Sequence, residues 1–237
     1  MNGGRSQSAW ASHGPLPTAL LGLTVLTGLV DAVSFLRLGH VFVSNMTGNV
    51  VFLGFAIAGA GDIAPLRSIV ALLAFTFGSA MGGRYCRLFG VHRGRLLAAT
   101  LAAECLLVGT TLGVSLISLG LSPDVLTNVQ VGLLAIAMGM QTAAARKLGV
   151  PDLTTTVITL TMTALAAESF FGTGTNRNAR HRSSALAAMF VGALSGGALV
   201  LHRGVAVALG VALTLLAGIG AVVWRASSGQ PPWAQTD

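Results

Sequence analysis

Six long apolar runs, separated by short polar stretches, dominate the pattern of hydrophobic and polar positions along the chain. Each run is close to the roughly 20 residues that an α-helix needs to cross the hydrocarbon core of a bilayer. The pattern predicts an all-α integral membrane protein, with a single transmembrane domain over residues 16–224 between polar tails at 1–15 and 225–237. The runs cover residues 16–36, 65–85, 96–119, 125–145, 185–201 and 205–224.

Two further segments, 41–60 and 153–171, are apolar but interrupted by polar residues, and the distribution of lysine and arginine tests whether they cross. If all eight segments crossed, the better orientation would place 8 basic residues inside and 6 outside. If both interrupted segments enter and return on one side, 11 lie inside and 3 outside, as the positive-inside rule requires. We therefore predict six spanning helices plus two interrupted or re-entrant segments, with cytoplasmic termini. A seven-span arrangement in which only 41–60 crosses also gives 11 to 3 and stays open.

The chain repeats part of its pattern at an offset of about 110 residues. Each half, about 16–120 and 124–224, would cross three times, and an odd number of crossings inverts one half relative to the other. The sequence thus predicts an inverted 3+3 repeat, an arrangement in which the interrupted segments meet near the bilayer midplane. The matching positions are 37–39 with 147–149, 78–83 with 192–197, and Asp31 with Gln141.

The interrupted segments and their neighbours carry the candidate binding residues. Hydroxyl and amide groups can coordinate a small polar solute or an ion through neutral dipoles, and a glycine permits close approach to the backbone. The alternative is hydrogen bonding between helices that holds the bundle together. The predicted solute-path residues are Asp31, Ser44, Asn45, Thr47, Gly48, Asn49, Gln141, Asp152, Thr154, Thr155, Thr156 and Thr159.

Two carboxyl groups fall inside predicted spans, Asp31 near the end of the first run and Glu104 within the run 96–119. A carboxylate at such depth is costly unless it is paired, protonated or facing a cavity. The functional interpretation is proton coupling at Asp31 or Glu104. The structural interpretation is that Asp31 hydrogen-bonds the neighbouring interrupted segment, and that Glu104 is a neutral, hydrogen-bonded acid.

Known catalytic and cofactor-binding signatures are missing from the sequence. It contains no Walker-type phosphate loop, no G-x-S-x-G and no H-E-x-x-H. Its two cysteines and five histidines have no metal-ligand spacing, and its basic residues lie in loops without the interleaved aromatics of a nucleic-acid surface. We expect no enzyme activity, cofactor, metal or nucleic-acid partner. The expected partners are the lipid bilayer and a small polar solute or ion; a homo-oligomer is left open.

Five strings of the chain are distinctive: residues 27–35, 39–42, 45–49, 137–141 and 148–156, the last preceded by Arg146. Together they resemble the YoaK-like family of bacterial multi-pass inner-membrane proteins, whose function is unknown. The resemblance extends over about residues 16–224; it implies a bacterial inner membrane, and some members are labelled small-molecule transporters. One position departs from the family: Gln141 is followed by Thr142 where the family often has asparagine, so a substrate contact by that asparagine is in doubt here.

The leading hypothesis is a secondary transporter or channel-like permease for a small polar solute. The alternative is a scaffold or sensor that does not transport and acts through its basic cytoplasmic loops, of which Arg177, Arg180 and Arg182 form one. An intramembrane enzyme is a third interpretation, without a motif in its favour.

Overall fold

The computed structural model describes residues 14–60, 64–89, 92–117, 120, 122–149, 158–168 and 179–228, and the regular elements in these ranges are α-helices. Six of the helices are long and apolar enough to cross a membrane, which confirms the predicted six-span, all-α fold. The other two, α2 and α6, have 12 and 10 residues and are shorter than a bilayer core at 1.5 Å per residue. In chain order the helices are α1 (Leu16–Arg37), α2 (Met46–Ile57), α3 (Pro65–Phe89), α4 (Arg93–Leu116), α5 (Pro123–Leu148), α6 (Ile158–Ala167), α7 (Ala179–His202) and α8 (Val205–Ser227).

The end of α1 and the starts of α3 and α5 lie at the same end of the bundle. Gly39, in the turn after α1, packs so closely on Arg67 that a Cβ built on it would lie 2.3 Å from the Arg67 Nη1 atom. Arg67 in turn forms a 2.6 Å ion pair with Asp124. We call this the Arg67 end, defined by Gly39, Arg67 and Asp124. The segment that contains α2 therefore leaves and re-enters at one end of the bundle, as expected for a re-entrant segment.

The opposite end of the bundle carries most of the basic side chains. The Arg93 Nη2 atom donates a hydrogen bond to the Leu148 carbonyl at 3.0 Å, which joins the start of α4 to the end of α5. Helix α8 ends beside the start of α4, where a Cβ built on Gly94 would lie 2.6 Å from Ser227 Cβ. We call this the basic end; its cationic residues are Arg84, Arg87, Arg93, Arg95, Arg146, Lys147, Arg180, Arg182 and Arg225.

Glycines let two pairs of helices approach closely. A Cβ on Gly192 of α7 would lie 2.0 Å from the Val25 carbonyl oxygen of α1, and one on Gly78 of α3 would lie 2.2 Å from the Ile136 carbonyl oxygen of α5. Farther along the same helices, Gly196 meets Leu29 and Gly82 meets Met140. Both pairs therefore run parallel, so α7 begins at the basic end, as α1 does. Small residues that bring backbones together are typical of helix packing in lipid.

The packing of the helices is unchanged when the two halves are exchanged, that is, α1 for α5, α2 for α6, α3 for α7 and α4 for α8. Helix α1 packs on α7, α8 and α5, and α5 packs on α3, α4 and α1. Helices α4 and α8 pack on each other. The repeated Leu-Gly also recurs structurally, because Gly39 and Gly149 both follow a helix end with positive φ, +93° and +61°. An inverted relation between the halves remains a prediction.

Candidate functional site: the polar loop before the short helix

The Asp31 carboxylate holds the loop that precedes α2 against the inner face of α1. Its Oδ1 accepts hydrogen bonds from the backbone N–H groups of Val43, at 3.0 Å, and Ser44, at 2.9 Å. Its Oδ2 accepts the Ser44 hydroxyl at 2.5 Å. Asp31 is only 4% exposed, so these three donors replace the water that a carboxylate otherwise needs. The interpretation of Asp31 as a structural group that binds the interrupted segment thus has a defined geometry.

Asn49 fixes the same loop from the helix side. Its Nδ2 donates to the Phe42 carbonyl at 2.6 Å, and its Oδ1 accepts from the Phe42 N–H at 2.9 Å. The side-chain amide therefore pairs with a backbone unit as a neighbouring strand would. Asn49 is completely buried. We call Asp31, Phe42, Val43, Ser44 and Asn49 the Asp31 cluster.

An aromatic stack, which the sequence reasoning missed, supports the loop. The Phe42 ring stacks on Phe35 at a centroid distance of 5.0 Å and on Phe52 at 5.8 Å. The His40 ring meets Phe35 edge-on at 5.3 Å. Their signal in the sequence was weak, because phenylalanines in an apolar segment are as readily lipid-facing as packed together. The stack connects α1, the loop and α2 independently of the polar contacts.

The remaining polar residues of the segment surround the start of α2. Asn45 is the N-cap of the helix, and its Oδ1 accepts from the Gly48 N–H at 3.4 Å, as asparagine commonly does at this position. Asn45 and Thr47 are exposed. Gly48 packs against the Phe42 ring, which a Cβ would approach to 2.9 Å. Asn45 and Thr47 thus differ from Ser44 and Asn49, which are buried.

Gln141, the predicted counterpart of Asp31, also lies against α1. Its Nε2 donates to Thr27 Oγ1 at 2.9 Å and lies 3.5 Å from the Leu23 carbonyl. Thr27 precedes Asp31 by about one helical turn on α1, so the structure brings the two predicted residues to neighbouring levels of the bundle. The Gln141 Oε1 atom is buried and has no hydrogen-bond partner among the described residues.

The other predicted site residues lie apart from the Asp31 cluster. Glu104 is on α4, fully buried, and neither carboxyl oxygen has a partner in the described part of the chain. Thr159 is exposed on α6. Within the described ranges, no three His, Cys, Asp or Glu side chains come together as a metal site. Four predicted residues lie outside the described residues: Asp152, Thr154, Thr155 and Thr156.

Comparison with known proteins agrees with the family resemblance and supplies no activity. DUF1275, a family described as a protein of unknown function, matches residues 19–222. The UPF0700 transmembrane protein YoaK of Bacillus subtilis (strain 168) is 35% identical over 147 residues, which are 62% of this chain and 64% of that protein. The chain therefore spans less than two thirds of the length of this relative. No solved structure matches the chain.

Proposed function

The chain belongs to the DUF1275 family, and from that premise we propose that it is a permease for a small polar solute. The observation that carries the proposal is the loop of the Asp31 cluster, which is not helical and reaches to the level of Asp31, about 9 Å inside the end of α1 at 1.5 Å per residue. Non-helical backbone at membrane depth occurs only where protein buries it or where it lines a wet cavity. Discontinuous helices of this kind form the solute sites of many transporters.

In this proposal the predicted path residues have two roles. Asp31, Ser44 and Asn49 direct their polar atoms into the loop, so they position it. Asn45 and Thr47 are exposed at the start of α2 and would contact solute. Gln141 adds a buried acceptor one turn below Asp31. In an inverted repeat, the opposite lining would come from the second interrupted segment, with Asp152, Thr154, Thr155, Thr156 and Thr159. The exchangeable packing of the halves supports such a repeat.

The orientation of the protein follows from charge. At the Arg67 end, Arg67 pairs with the carboxylate of Asp124. At the basic end, the described residues include nine cationic side chains but a single carboxylate, Glu168, which pairs with Arg182 at 2.7 Å. Because lysine and arginine are retained on the cytoplasmic side of bacterial membranes, the basic end would face the cytoplasm and the Arg67 end the outside of the inner membrane.

Solute flux into proteoliposomes tests the proposal. The probes are glycerol, urea and a neutral sugar. Entry of each probe into the vesicles is measured by light scattering after an osmotic step. Asn45→Ala removes an exposed amide, and we expect flux of the transported probe to fall about tenfold, since losing one hydrogen bond raises a barrier by about 1.4 kcal/mol. Thr127→Ala, a change of a partly exposed residue near the start of α5 whose hydroxyl donates to the Pro123 carbonyl, is the control and should leave flux unchanged.

Two results would contradict the assignment. Full flux in Asn45→Ala would remove the start of α2 from the path. Wild-type flux no greater than that of protein-free liposomes for every probe would count against a permease for small neutral solutes.

A second candidate function, docking of a partner at the basic end, is favoured by one observation. Arg84, Arg87 and Leu88 line a surface depression at the end of α3. Exchanging Arg84 and Arg87 for glutamine would then abolish the activity that depends on partner docking, whereas Asn45→Ala would leave that activity unchanged. The permease predicts the reverse pattern.

A further inference from the structure

Glu104 is a buried carboxyl group in the centre of a packed helix face. The α4 positions 97, 101, 104, 108 and 111 recur at intervals of three and four, and all five side chains are buried. This stripe follows the helical repeat and faces neighbouring helices. Glu104 is 0% exposed, and in the described structure neither of its oxygens has a hydrogen-bond partner. Asp31, in contrast, has donors for both of its oxygens.

Contacts between α4 and α8 define the depth of Glu104 along the bundle. A Cβ on Gly94 would lie 2.6 Å from Ser227 Cβ, and one on Gly109 would lie 4.0 Å from Leu213 Cδ2. The two helices are therefore antiparallel. Glu104, between Gly94 and Gly109, lies at the level of residues 216–218 of α8.

Contacts between α1 and α8 place Gln141 at about the same depth. A Cβ on Gly22 of α1 would lie 2.8 Å from Ile219 Cδ1 of α8. Continuing along these antiparallel helices, Leu23 and Thr27 lie at the level of residues 214–218. Gln141 hydrogen-bonds Thr27, so its side chain lies within about one turn of the level of Glu104. Helix α4, which carries Glu104, packs on α5, which carries Gln141.

This depth of the bundle holds three buried acceptor oxygens, two from Glu104 and one from Gln141, that lack a donor among the described residues. The charged groups on the helices that pack on α4 lie toward the helix ends, and Cys105 adjoins Glu104 without supplying a positive charge. A carboxylate at Glu104 would have no cation to compensate it, which is costly inside a membrane. The charged and titratable residues of α3, α4, α5 and α8 are Arg67, Arg84, Tyr85, Cys86, Arg87, Arg93, Arg95, Glu104, Cys105, Asp124, Arg146, Lys147 and Arg225.

We propose that Glu104 is the proton-binding site of the permease, with the Gln141 side-chain oxygen as the acceptor at the same depth. A proton converts one Glu104 oxygen into an O–H donor, for which the Gln141 oxygen is an acceptor. Calcium needs six to eight oxygen ligands and magnesium an octahedral six, more than the three oxygens found here. Glu104 takes the proton from water on one side of the membrane and returns it to water on the other, so no further reactant is needed. This assignment rests on the proposed permease function for its coupling role.

Infrared spectroscopy of the full-length protein in lipid nanodiscs tests the assignment without a transport assay. A protonated carboxyl group in an apolar site gives a carbonyl stretching band that carboxylates lack. We expect this band at neutral pH in the wild type, its loss in Glu104→Gln, and its retention in Asp31→Asn. Gln141→Leu should keep the band and shift it, because the hydrogen-bond acceptor is removed. Monodisperse elution of each variant shows that it folds.

Three results overturn the assignment: a band unaffected by Glu104→Gln, no such band in the wild type at neutral pH, or a band that sodium or potassium chloride abolishes while the chloride of a large organic cation does not. The last would assign the site to a metal cation. If the band behaves as expected but no probe crosses proteoliposomes, the permease proposal fails while the proton site stands. If flux occurs and the band is absent, the reverse holds.

Discussion

At the scale of single residues, Asp31 and Asn49 bind one loop from two sides. Asp31 takes the N–H groups of Val43 and Ser44, and Asn49 takes both backbone groups of Phe42. Three consecutive residues outside any helix thus have backbone partners although lipid offers none. The side chains replace the backbone ladder that a helix would have formed.

We expect Asp31→Ala to destabilise the protein by about 3 kcal/mol, because it orphans two buried backbone donors and the Ser44 hydroxyl. Asp31→Asn keeps one acceptor oxygen and should cost about 1 kcal/mol, similar to Ser44→Ala, which removes one hydrogen bond. Thermal unfolding in detergent, followed by tryptophan fluorescence, measures the series. Equal stability of Asp31→Ala and the wild type would show that the Asp31 cluster does not hold the loop.

At the scale of the elements, the glycines determine which helices can pair. The matching strings 78–83 and 192–197 each end in two glycines, and the two glycines of each pair have different surroundings. A Cβ on Gly82 would approach Ala143 Cβ to 2.8 Å and one on Gly196 would approach the Leu29 carbonyl to 2.6 Å. A Cβ on Gly83 would have no atom within 4 Å, and one on Gly197 would contact only the Leu36 side chain, at 3.7 Å. One glycine of each pair is thus used in packing.

Gly192→Ala should destabilise the α1–α7 pair, because its Cβ would lie 2.0 Å from the Val25 carbonyl oxygen and the backbones must separate. Gly78→Ala should have a similar effect on α3 and α5, where the distance is 2.2 Å. Gly113→Ala on α4 is the matched control, since nothing lies within 4 Å and alanine favours a helix by about 1 kcal/mol. Melting temperatures should fall for the first two variants and hold or rise for Gly113→Ala. A uniform response of all three would refute glycine-mediated pairing.

The spans could be predicted from the sequence because twenty apolar residues have few alternatives in a bilayer. The interruption of the segment 41–60 could be predicted from its polar string, whereas the distribution of lysine and arginine left open whether this segment crosses. The sequence offered the neighbouring interrupted segment as one possible partner of Asp31, but it could not identify the atoms, because the carboxylate binds backbone N–H groups that carry no sequence signature. The pairing of α1 with α7 was equally hidden: a glycine marks a surface that permits close approach but does not identify the helix that approaches.

At the scale of the whole molecule, each of the two interrupted segments connects helix ends that lie at the same end of the bundle. The segment with α2 returns to the Arg67 end, where Gly39 meets Arg67. The segment with α6 connects the end of α5 to the start of α7, both at the basic end. The two segments therefore join helix ends at opposite ends of the bundle, which the predicted inverted repeat would require.

The sidedness of single cysteines tests this arrangement in cells. In a variant with Cys86→Ala and Cys105→Ala, one cysteine is introduced at a time, as Arg37→Cys, Ala58→Cys or Ser228→Cys, and an impermeant thiol reagent is applied. Because α2 returns to the Arg67 end, Arg37→Cys and Ala58→Cys should react from the same side, in spheroplasts. Ser228→Cys follows α8 at the basic end and should react only after the membrane is opened.

If Ala58→Cys instead reacts together with Ser228→Cys, the segment 41–60 crosses the bilayer, since only a crossing could carry Ala58 to the basic end. The seven-span arrangement would then replace the re-entrant one, and with it the loop of the Asp31 cluster would cease to be evidence for a solute path.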